Sequence, residues 1–141
     1  MVKIRQVNNV IQYQVYPDLN FFKACASGEL TFEHIFQHVE EIINDPDYQT
    51  GMNGFYDFHR ITRLTGNVEQ FQAVAEDMSD HNIIDKQGCT SVVLPDDNDS
   101  MHNMMQGFIL MASDSLIDYQ VFHYRQWQQA LLHVGLNQLP D

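Results

Sequence analysis

Residues 54–66 read GFYDFHRITRLTG, and how this stretch divides decides the fold. Phe55 to Phe58 is a short apolar run of strand character. His59 to Thr65 is basic and hydroxylic, and the pattern predicts a loop there, with a helix opening at about Asn67. In an open α/β sheet the carboxyl ends of strands, where they hand over to helices, are where ligands and partners dock. Of the chain's 7 Lys and Arg residues, Arg60 and Arg63 fall in this loop.

On its N-terminal side, Val10 to Tyr16 alternates Ile11, Tyr13 and Val15 with Gln12 and Gln14. That is the period of a half-buried strand, with a ragged strand expected before it at Val2 to Val7. Pro17-Asp18-Leu19-Asn20 suits a chain reversal. Phe21 to Ser27 is then the second arm of a hairpin, which Gly28 is expected to break. Thr31 is a good N-cap, and Phe32, Ile35, Phe36, Val39, Ile42 and Ile43 recur at helical spacing. Asn44-Asp45-Pro46-Asp47 ends that helix, because the residue before a proline is biased away from α.

On its C-terminal side, Val68, Phe71, Ala75 and Met78 mark a second helix. Cys89 to Leu94 is a β-rich run closed by Pro95. A third helix is expected after Asp99 or Ser100, with Met101, Met104, Met105, Phe108, Met111 and Ala112 as its stripe and Leu110 opposite. Tyr119 to Tyr124 is the last strand. Trp127, Ala130, Leu131 and Val134 define a final helix that Gly135 terminates. Strands alternating with helices imply crossovers onto a mostly parallel sheet. The expectation is one α/β domain over residues 1–141, with about five strands, an antiparallel N-terminal hairpin and four helices. Polar residues interrupt several strands (Gln12, Gln14, Lys23, Gln120, His123), whereas doubly covered parallel strands are continuously apolar. The helices are therefore expected mainly on one face, with Tyr16, Phe21 and Tyr119 on a partly open second face.

Composition narrows the function classes. With 44% apolar and 18% charged residues over 141 positions, the chain belongs with globular proteins. A net charge of −12 disfavours nucleic acid and anionic membranes as partners. No apolar run reaches the length of a membrane span, and MVKIRQVNN lacks the apolar block of a signal peptide, so a cytoplasmic location is expected. Cys25 and Cys89 share no metal or redox spacing and are expected to be buried and inert.

Three clusters offer chemistry. His34 and His38 lie one helical turn apart with Glu41 and Asp45 beyond them, a partial metal set or a solvated face. Asp96-Asp97-Asn98-Asp99 resembles part of a calcium loop but lacks its spaced ligands and distal Glu; a polar turn capping the third helix is expected. Asp57, His59, Arg60 and Arg63 offer an acid–base or anion site. No nucleophile elbow, phosphate-binding glycine loop or paired-carboxylate motif is present. No enzyme activity, metal or cofactor is expected.

The order of elements resembles the SpoIIAA-like fold shared by anti-sigma factor antagonists and STAS domains, and most nearly the small stand-alone bacterial SpoIIAA-like proteins. The matching motifs are Asn44-Asp45-Pro46-Asp47-Tyr48, then Gly54-Phe55-Tyr56-Asp57-Phe58-His59-Arg60, then Val121-Phe122-His123-Tyr124 with Ala130-Leu131-Leu132. They span about Val10 to Gly135. The resemblance implies a binding or regulatory module. In the antagonists a serine at the start of the helix after the central strand is phosphorylated. That position falls here on Gly66, within Thr65-Gly66-Asn67-Val68, so the usual switch is absent and Thr65 is the substitute acceptor.

The expected function is a non-enzymatic protein-interaction module working through the loop after the central strand, at Asp57, His59, Arg60, Thr62, Arg63, Thr65 and Gly66. Its partner would be another protein or a second copy of the chain. The alternative is a carrier or sensor of a small apolar ligand such as a lipid, held under the Met-rich helix.

Overall fold

Two long neighbouring strands carry the molecule, and their unequal residue counts shape it. The computed structural model describes residues 5–6, 10–49, 51–67, 69, 72–73, 88–111 and 118–140. Its strands are β1 (Arg5–Gln6), β2 (Ile11–Tyr16), β3 (Phe21–Thr31), β4 (Asn53–Thr65), β5 (Thr90–Leu94) and β6 (Tyr119–His123). Its helices, among the described residues, are α1 (Phe32–Ile43), α2 (Asp99–Met111) and α3 (Trp127–His133). The sheet order is β1-β2-β3-β4-β5-β6. β1, β2 and β3 pair antiparallel, and β3 to β6 pair parallel.

The α/β class, the antiparallel opening and the parallel remainder agree with the sequence. The hairpin turns through a 3-10 segment at Pro17–Leu19, and Asn20 closes it in the left-handed region at φ 50°, which asparagine tolerates. Thr31 caps α1 as expected. Its hydroxyl accepts from the His34 N–H, and its own N–H donates to His34 Nδ1. The helix expected from Val68 to about Asn82 lies mostly outside the described residues, of which Glu69, Gln72 and Ala73 are helical.

Two boundaries are corrected. Gly28 does not break the second strand, which runs on to Thr31. His59 to Thr65 is not a loop: β4 is a single strand of 13 residues ending at Thr65. Register explains both. Cys25 and Ser27 face Asp57 and Arg60, and Gly28 and Glu29 face Ile61 and Arg63. At each shift β4 carries one residue more than β3, which is the signature of a β-bulge. Gly28 sits between the two shifts at φ +75°, a conformation that glycine adopts without strain. The bulges also set the core-facing spacing. Phe58, Ile61 and Leu64 are buried three residues apart, and the polar pairs His59-Arg60 and Thr62-Arg63 fill the gaps. A strand with period three does not look like one with period two.

Helices pack on both faces of the sheet. Against one face α1 and α2 bury Phe32, Ile35, Val39, Ile42, Met101, Met105 and Phe108 on Tyr13, Phe22, Tyr56, Phe58, Val92 and Leu94. Against the other, α3 buries Ala130, Leu131 and Val134 on Tyr16, Phe21, Phe55 and Val93. The second face is therefore half covered, and Tyr16 and Phe21 lie beneath α3. Tyr119 belongs to the first face, packed against the α1–α2 core. Gln12, Gln14, Lys23 and Cys25 line the uncovered half.

Candidate functional site

Asp57 follows the buried pair Phe55 and Tyr56 and precedes the first bulge. Its Oδ1 accepts from the His59 backbone N–H at 3.3 Å and contacts His59 Nδ1. An acceptor two residues back along the chain holds a local turn, so Asp57 pins the bulge and orients the imidazole. His59 is then stacked on Tyr124, with ring centroids 4.0 Å apart and planes 6° from parallel. Trp127 meets His59 edge-on at 6.0 Å and Phe55 edge-on at 4.9 Å. Tyr124 and Trp127 are absent from the site residues expected from sequence. Their signal was an aromatic pair one helical turn apart, directly after the last strand.

Beside this cluster an open groove of about 310 Å³ runs along the uncovered sheet face, lined by Gln12, Gln14, Lys23, Cys25, Asp57 and Leu139. Lys23 Nζ and the Tyr16 hydroxyl donate to the Pro140 carbonyl at its end. Cys25 is exposed rather than buried, because alternation along β3 turns it away from Ala24 and Ala26. Partial burial and then the Asp57 carboxylate push its thiol pKa up, against Lys23 and Arg60. A thiol held protonated is a poor nucleophile.

The other expected site residues lie farther along β4. Arg60, Thr62 and Arg63 are exposed, Thr65 is half-buried and Gly66 is exposed. β5 pairs with β4 only from Gly54 to Asp57, so this outer reach has β3 on one side and no strand on the other among the described residues. Thr62, Arg63, Thr65 and Gly66 face the start of α2 across a groove of about 370 Å³. Asn98 caps α2, its Oδ1 accepting from the Met101 N–H at 3.1 Å. The expected acidic turn thus serves as a cap, with the helix starting at Asp99. Glu29 stands opposite Arg63 across the β3–β4 ladder, and Thr31 opposite Thr65. A Cβ on Gly66 would lie 2.1 Å from Phe32 Cδ2. No side chain fits there without moving that ring, which accounts for glycine at this position. Six of the seven expected residues thus fall in two patches, Asp57 and His59 under Tyr124 and Thr62, Arg63, Thr65 and Gly66 against α2, and Arg60 is exposed between them along β4.

The histidines of α1 are engaged within the fold rather than on a solvated face. His34 is tied up in the capping box. His38 lies within the apolar stripe, 1% exposed, with Nε2 against the Tyr56 hydroxyl at 3.0 Å and Nδ1 unpartnered. Burial lowers its pKa to about 4. Asp45 is buried and accepts from the Tyr13 hydroxyl at 3.0 Å. No group of three or more His, Cys, Asp or Glu able to hold a metal occurs among the described residues. His102 and His123 stack on one another at 3.8 Å, each with one unpartnered ring nitrogen.

Between α1, α2 and the sheet lies an apolar cavity of about 30 Å³, with His38, Tyr56, Met105, Phe108 and Tyr119 in its wall. Burial pushes the Tyr119 hydroxyl up to about 12 and that of Tyr56 well above its usual value, so both are neutral.

Compared with models of known families, with curated proteins and with solved structures, the chain finds no match and no catalytic relative. No helix among the described residues is long and apolar enough to cross a membrane.

Proposed function

We propose that this chain is a regulatory, non-enzymatic interaction module of SpoIIAA-like, STAS-related type, and that it works through the outer half of β4. The element order, the motifs around Asp45-Pro46 and Asp57, and the antiparallel hairpin ahead of a parallel sheet support the family reading. The observation that carries the functional reading is the exposure of Arg60, Thr62 and Arg63 on a strand whose large apolar residues are core. Two bulges turn them out, and bulges that re-aim side chains gather at functional sites. Exposed charge on a rigid strand next to a groove is an interaction surface with a fixed shape. Thr65, beside the cap of α1 and close in sequence to Arg63, is the proposed phosphate acceptor. A phosphate there gains from a helix N-terminus and from arginine.

The carrier reading keeps one observation in its favour, the apolar cavity under α2. Its volume of about 30 Å³ is room for a water molecule or two, far below the several hundred Å³ of an ordinary ligand pocket. A lipid would need α2 to swing away. Native mass spectrometry of freshly purified protein, followed by denaturing mass analysis, separates the readings. The interaction module predicts a bare chain; a small molecule lost on denaturation would favour the carrier.

A further inference from the structure

We propose that the unpaired edge of β4, from Thr62 to Thr65, and the first turns of α2 form a docking groove for an extended acidic peptide, which joins the sheet as a strand beside β4. This rests on the interaction reading above and supplies its partner class.

The ladder provides the site. β3 follows β4 to Thr65, whereas β5 leaves it after Asp57. Beyond that point the β5 side of β4 presents backbone N–H and C=O groups without a strand to receive them among the described residues. Such an edge is a template for strand addition, and main-chain hydrogen bonds to an edge are a recurring way of binding peptides. The opposite wall is α2. The groove between them, about 370 Å³ with Thr62, Arg63, Asn98, Ser100 and Met104 in its lining, lies within the volume range of ligand sites. A strand seated about 4.8 Å from β4 would rest its side chains against Met104, whose flexible thioether adapts to varied apolar shapes.

Charge selects the occupant. A second copy of this edge would bring its own arginines against Arg63, and like charges across a strand pair destabilise it. A strand carrying Asp or Glu places a carboxylate against Arg63 instead. The net charge of −12 opposes an acidic strand at long range, but charges farther off than roughly 10 Å are largely screened at 0.1 M salt.

The probe is a phage-displayed library of random dodecapeptides selected on the intact protein, with the enriched peptides mapped by backbone amide NMR. The expected result is enrichment of alternating, β-prone peptides containing Asp or Glu, with shifts concentrated at residues 60–66 and 98–104. Arg63→Glu, checked for native dispersion in the same spectra, should weaken them at least about tenfold, or 1.4 kcal/mol. Enrichment of basic peptides, unchanged affinity in Arg63→Glu, or no enrichment overturns the groove. Shifts confined to the Gln12–Lys23 face would overturn it too, and would keep an interaction role while moving it off the outer half of β4. A co-purifying small ligand together with no enrichment would remove both.

Discussion

The imidazole of His59 lies flat on the ring of Tyr124, centroids 4.0 Å apart. One residue comes from the first bulge of β4 and the other from the turn that opens α3, so the stack fastens the C-terminal helix to the central strand. Trp127 closes the corner against both His59 and Tyr124. Aromatic contacts of this kind contribute about 0.5–1.5 kcal/mol beyond area burial. Tyr124→Ala should lower stability by roughly 1–2 kcal/mol in urea unfolding, and Trp127→Ala by more, since Trp127 also packs on Phe55. A neutral Tyr124→Ala would show the stack to be incidental.

The continuation of β4 through Thr65 makes a position-by-position prediction. Ile61 and Leu64 are 3% and 6% exposed, respectively, so truncation to Ala should cost about 2–5 kcal/mol each. Thr62→Ala, between them, should fall within about 0.5 kcal/mol. If residues 59–65 were a loop, the three variants would resemble one another. Denaturant midpoints decide.

Gly66 lies against Phe32. Gly66→Ala should destabilise by roughly 1–3 kcal/mol, the usual cost of overpacking. Phe32→Leu in the same background should recover part of that loss, as a double-mutant cycle would reveal. Full additivity would mean that the ring does not set the limit.

His38 predicts the pH dependence. Burial lowers its pKa from 6.5 to about 4. Between those values the unfolded chain takes up a proton and the folded chain does not, so stability falls with decreasing pH. The contribution is complete above about pH 6.5, and some 3 kcal/mol is lost on the way to pH 4, at about 1.4 kcal/mol per unit. His102, lowered first by its own burial and then by His123, acts in the same direction. His38→Gln should flatten most of the slope in urea titrations at pH 7, 5.5 and 4.5, and an unchanged slope would assign it to other groups.

Much of the fold was legible because local signals agreed with each other. Thr31, Asn20 and Gly135 mark their boundaries by capping or left-handed geometry, and the β2 alternation and the α1 stripe name their buried faces. Three features escaped for physical reasons. Bulges depend on a partner strand's register, so Phe58, Ile61 and Leu64 at period three looked like a loop. His38 was read by residue type as polar, although it falls on the same stripe as Ile35 and Ile42. The α3 layer on the second face was hidden because Gln12, Gln14 and Lys23, which alternate with apolar residues, lie on the half that α3 leaves bare. At the site, the sequence assigned one loop after the central strand, where the structure has a continuous strand and two patches. The tie between His59 and Tyr124 spans 65 positions, and no local pattern encodes it.

The most direct measurement is quantitative capture of partners from native lysate on wild-type protein, Arg60→Glu and Arg63→Glu, with circular dichroism confirming that all three share one fold. The account predicts a partner retained by wild type and lost from Arg63→Glu at least, with the fold unchanged. The same partner retained equally by both variants would contradict the assignment of the interaction to the outer half of β4.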